Sequence, residues 1–155
     1  MSEITHRKAD NIRRDAYEHW VFISTPMTGK TDKEIQKRLL DISRKAIQLA
    51  CKKFGWLEEE TWWYSNYGSI RYSGLTETEK RLDYLGDAIK KIGYASAVYF
   101  DEGWDQSKGC CVEWWTAVQY NIPYVDYKGY VNSWELTADG KVENVEVMHS
   151  GEESS

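Results

Sequence analysis

Glu113, with Ser107 and Gly109 shortly before it, is the constellation in this chain most able to do chemistry. It lies where an apolar run, residues 95–100, gives way to a polar loop and then to a helix-like segment, residues 109–120. A strand, a turn of small residues and a helix N-terminus make an anion site, because unpaired backbone N–H groups and the helix dipole both face outward there. A serine hydroxyl can cap the helix or donate to an anion, and a glycine lets the backbone come close to a phosphate. Lys108 adds a positive charge. Glu113 then falls in the first helical turn or just beyond it, where the dipole favours an ionised carboxylate. An acid beside an anion site points to a carboxylate that acts on something phosphorylated. The plain alternative is an ordinary acidic residue near a helix start, since SxGxxxE alone is short and degenerate.

Other residues offer less. Asp83 and Asp87 are an i, i+4 pair, and like charges at that spacing are mildly unfavourable. They form either a solvated face among Lys80, Arg81, Lys90 and Lys91 or, for Asp87, a working carboxylate. The loop after the first strand carries Ser24, Thr25, Pro26, Met27 and Gly29. With a single glycine it is neither a P-loop nor a dinucleotide fingerprint. It is either a plain turn or a wrap for a base or sugar. The loop after the third strand adds Asp101 and Trp104 as candidate substrate contacts. No metal or cofactor is expected: His6, His19 and His149 are scattered, and Cys51, Cys110 and Cys111 lack zinc-binding spacing. No GxSxG elbow supports a serine triad.

The elements that must position these residues read as an α/β fold. Residues 19–25, 60–64, 95–100 and 122–126 read as strands, rich in β-branched and aromatic side chains. Thr31 with Glu34, and Thr76 with Glu79, are capping boxes that open two helices, closed by Gly55 and Gly93. Apolar residues Ile35, Leu39, Ile42, Ala46 and Leu49 recur at helical spacing. Alternating strands and helices predict a flavodoxin- or Rossmann-like three-layer sandwich with a mostly parallel sheet of four to five strands. In such sheets ligands sit beyond the carboxyl ends of the strands. That gathers the loops at residues 24–30, 64–74 and 101–108 around the start of the third helix. The predicted organisation is an N-terminal arm (1–18), a core domain (19–128), a hairpin extension (129–148) and a disordered tail (149–155).

The net charge of −5 argues against a nucleic acid polymer as partner. No apolar run approaches the ~20 residues of a membrane span. No secretory signal is visible, and three sparse cysteines fit a reducing, cytoplasmic setting. Eight Trp and eleven Tyr are an unusual load. They either line a pocket for a flat ligand, form a subunit interface, or pack an aromatic core.

Taken in order, VFISTPMTGK, GDAIKKI, ASAVYF and GWDQSKGCCVEWWTAVQYNIPYV resemble the nucleoside 2-deoxyribosyltransferase-like superfamily, over about residues 20–125. The likeness is greatest to its small phage- or prophage-borne branch. The resemblance implies that Glu113 is a nucleophile that attacks C1′ of a deoxyribosyl group, and that Asp87 assists the leaving base. It implies a nucleotide or nucleoside as small-molecule partner and a homodimer or higher oligomer. Ser107 and Gly109 match the nucleotide N-hydrolases of that superfamily, where free-nucleoside transferases carry an acid in place of Ser107. The 2′-deoxynucleoside 5′-monophosphate is therefore the expected substrate, with water or a second base as acceptor. Met27, Thr28, Trp114 and Trp115 depart from the pattern. They keep open a non-catalytic nucleotide-binding protein, a sensor or sponge, and after it an NAD-cleaving enzyme.

Overall fold

The computed structural model describes residues 17–66 and 76–130 in full, and residues 131–136 and 142–147 by their backbone. Strand β1 (His19–Ser24) is followed by helix α1 (Asp32–Phe54), β2 (Thr61–Tyr64), α2 (Glu77–Ile92), β3 (Ala97–Phe100), α3 (Lys108–Gln119) and β4 (Tyr124–Asp126). An antiparallel hairpin, β5 (Val131–Leu136) and β6 (Val142–Val147), completes the order.

The six strands form one sheet in the order β2-β1-β3-β4-β5-β6. β2, β1, β3 and β4 are all parallel. The chain steps outward from β1 to β2 and returns past β1 to β3, so the order reverses between β1 and β3. The α/β three-layer reading and its mostly parallel sheet are as the sequence predicts. The hairpin of the predicted extension continues the sheet, with Val125 paired to Val131, which makes six strands rather than four to five. The predicted arm up to residue 16, most of the loop at 64–74 and the tail lie outside the described residues.

Burial explains why β1 and β3 lack alternation. From Trp20 to Ser24, and throughout β3, every residue is buried, because helices cover both faces. Val21, Ile23, Tyr99 and Val125 pack against Ile35, Leu39, Ile42 and Ala46 of α1. Phe22, Val98 and Phe100 point the other way, against Ala88 and Ile92 of α2 and Trp114 of α3. Both capping boxes form as predicted, and Gly55 ends α1 in the left-handed region at φ 76°.

Much of the aromatic load packs on itself. Phe100, Trp104, Trp114 and Tyr124 make successive ring contacts at 5.3–6.3 Å between centroids. Trp20, Phe22, Tyr64 and Tyr94 make a second group. The aromatic-core reading therefore covers Trp20, Phe22 and Phe100 and the partly buried rings packed on them, while Tyr94, Trp115 and Tyr120 stay exposed.

Candidate functional site

β1 ends on Ser24, whose side chain continues the Phe22 face toward α3. Its hydroxyl donates to Glu113 Oε1 at 2.6 Å. Among the described residues Glu113 accepts no other hydrogen bond and has no cationic partner. Its second oxygen, Oε2, is thus the uncommitted one. Burial raises the Glu113 pKa to about 7, against the opposing pull of the Ser24 hydroxyl.

This corrects one expectation. The helix begins at Lys108 with Ser107 as N-cap, so no acid lies in its first turn and Glu113 falls in the second. Dipole stabilisation fades within the first turn. Desolvation therefore decides, and it favours the neutral form rather than the charged one.

Cys110 sits one turn before Glu113 on the same helix face. It is buried, and burial pushes its thiol up to about 11, with the Ser107 and Ser24 hydroxyls acting the other way. At that value it is a neutral thiol, not a nucleophile. Ser107 Oγ accepts the Cys110 N–H at 3.3 Å, which caps the helix and leaves the hydroxyl proton available. A Cβ added at Gly109 would meet nothing within 4 Å, so protein packing does not require glycine there.

Thr25, the next residue, points to the opposite face of the sheet. Its hydroxyl donates to Asp101 Oδ2 at 2.7 Å. Arg38 of α1 clamps the same carboxylate through Nε at 2.8 Å and Nη2 at 2.7 Å. Asp101 is buried, and the clamp raises the Arg38 pKa above its ordinary value. The Asp101 N–H also donates to the Ser24 carbonyl at 2.9 Å, tying the two strand ends together.

The remaining predicted residues are distributed as follows. Pro26 faces Gly103, whose φ of 87° requires glycine; an added Cβ there would lie 3.5 Å from Pro26 Cγ. Met27 packs on the α1 core and accepts the Tyr84 hydroxyl of α2 through its sulfur at 3.2 Å. Gly29 occupies a turn at φ 80°. Trp104 stacks on Trp114 at 5.9 Å within the core. Asp87 is ion-paired with Lys91 one turn along α2, at 3.3 Å. Thus Ser24, Cys110 and Glu113 come together, with Ser107 and Gly109 at the same helix end. Thr25 and Asp101 are engaged on the far face.

Sequence reasoning missed Arg38 and the Ser24 contact. The signal for Arg38 was a cation one turn from Ile35, beside the apolar stripe of α1, with an acid ending the buried run at residue 100. A cavity of about 280 Å³ lined by Arg44, Ile47, Glu58, Trp62 and Trp63 lies between α1 and β2, on elements other than those carrying Glu113. Among the described residues no group of three or more His, Cys, Asp or Glu is disposed to hold a metal ion, and no helix is long and apolar enough to cross a membrane. In comparisons with known proteins, no family model, curated protein or solved structure matches the chain.

Proposed function

We propose that the protein cleaves the N-glycosidic bond of a 2′-deoxynucleoside 5′-monophosphate, with Glu113 as nucleophile, in a cytoplasmic setting. The observation that carries this reading is the desolvated carboxylate of half-buried Glu113 at the carboxyl end of the parallel sheet, one oxygen held by Ser24 and the other uncommitted among the described residues. Oε2 bonds to C1′ while the C1′–N bond breaks and its electron pair leaves with the base. A proton from solvent neutralises the base. Water, or a second base, then attacks C1′ and returns the carboxylate, in the two-step manner of retaining glycosidases. The Ser107 hydroxyl and the open N–H groups at the start of α3 suit a 5′-phosphate.

Only the ionised carboxylate attacks. With the Glu113 pKa at about 7, base release rises with pH up to about 7 and then levels. The test incubates the protein with deoxynucleoside monophosphates and the matching free nucleosides and measures released base. The expected result is release favouring the phosphorylated forms, reduced at least about a thousandfold in Glu113→Ala. No release from any substrate, or equal release by wild type and variant, overturns the proposal.

A further inference from the structure

Ser24 is expected from the sequence to touch substrate, yet its hydroxyl is turned to the carboxylate. It is 1% exposed, ends the central strand β1, and makes its shortest contact with Glu113 Oε1, at 2.6 Å. Backbone geometry fixes it there, because its carbonyl accepts the Asp101 N–H and its Cα is in register with Phe100. The donor is therefore anchored on a rigid strand, and the acceptor lies on a helix that packs on the neighbouring strand β3.

We infer that Ser24 is a positioning residue: it holds Glu113 Oε1, so that Oε2 alone is presented to the reacting carbon. This rests on the N-glycosidic reading above for its chemical purpose, but the contact itself does not. A carboxylate with two equivalent free oxygens can rotate about its terminal torsion, which is broad and nearly two-fold. One short bond removes that freedom and favours the ionised form, though burial outweighs it. The neighbouring titratable group is Cys110, from the same helix. Among the described residues no charged side chain of β1, β3 or α2 acts on the Glu113 carboxyl, which responds to burial and to Ser24 alone. The two other hydroxyls nearby make no hydrogen bond to Glu113, since Thr25 donates to Asp101 and the Ser107 oxygen caps the helix.

The experiment follows the Glu113 carboxyl directly by carbon NMR titration of the full chain, in wild type, Ser24→Ala and Ser24→Thr, alongside base release from deoxynucleoside monophosphates across pH. Removing the hydroxyl is expected to move the Glu113 midpoint to higher pH, to carry the pH limb of base release with it, and to lower the plateau rate roughly ten- to a hundredfold. Ser24→Thr, which keeps the hydroxyl, is expected to restore the midpoint and part of the rate. An unchanged midpoint in Ser24→Ala overturns the positioning role, whatever the activity. A shifted midpoint with no base release in any form leaves the contact standing and overturns the N-glycosidic reading instead.

Discussion

Ser24 and Thr25 are adjacent, both hydroxylated and both buried, yet they serve opposite sides of the sheet and opposite kinds of polar group. On the α1 side, Asp101 receives bonds from Thr25 and from both arms of the Arg38 fork, so its charge is matched and its geometry closed. On the α3 side, Glu113 receives one bond and no counter-charge among the described residues, and its pKa rises to about 7. A buried acid that is fully paired costs little and ties elements together. A buried acid left nearly unpaired is held at the expense of stability, the pattern expected of a reactive group. The two carboxylates are thus distinguished by what surrounds them, not by residue class.

Substitutions that interchange these roles test the contrast. The largest effect is expected for Arg38→Ala, which strands Asp101 with Thr25 as its remaining side-chain partner. The loss should be about 3 kcal/mol, at the low end for a broken buried pair because the guanidinium is partly open to water. Urea unfolding would measure it, and a loss below about 1 kcal/mol would mean that the clamp is not closing the far face.

Glu113→Gln should act with the opposite sign. The folded-state pKa of about 7 lies above the ordinary 4.5. Below about pH 4.5 both the folded and unfolded chains are protonated at this residue, and the group carries no charge penalty. Between that pH and about 7 the unfolded chain ionises first, and the folded state loses stability relative to it. Above 7 the loss is complete. The glutamine variant escapes this, so it should be more stable than wild type by up to about 3 kcal/mol at pH 8 and indistinguishable near pH 4. Thermal melts at the two pH values would show it, and a gap that does not open with pH would mean that Glu113 is compensated after all.

The smallest of these effects is expected at the helix cap. Ser107→Ala removes the acceptor for the Cys110 N–H and should cost about 1 kcal/mol. If the hydroxyl also serves a phosphate, the variant should lose more activity on monophosphates than on free nucleosides. An equal loss on both would confine Ser107 to capping.

Much of the fold was legible because its signals are local. Thr31 and Thr76 announce helix starts that three-residue spacing makes unambiguous, and Ala97–Phe100 is apolar on both faces because both faces are covered. Glu113 was legible as a residue, through its spacing from Ser107 and Gly109. Its charge state was not, because helix position argued for ionisation and burial, which depends on the packing of α3 on the sheet, argued against it. The same holds for Asp101. Its place after a buried run marked it as notable, but only the register of β1 on β3 and the seat of α1 turn it toward Arg38. Consecutive strand residues face opposite ways, so one residue of offset decides whether a hydroxyl meets the closed acid or the open one.

The two contacts also differ in when they can form as the polypeptide leaves the ribosome. The clamp joins residues 63 positions apart, while the Ser24–Glu113 bond spans 89. A nascent chain extended just past β3 already holds Arg38, Thr25 and Asp101, and can fasten its central strands before α3 exists. The carboxylate that burdens the fold emerges later, onto strands already fastened. Vectorial synthesis therefore brings the stabilising half of the molecule into being before the half that strains it.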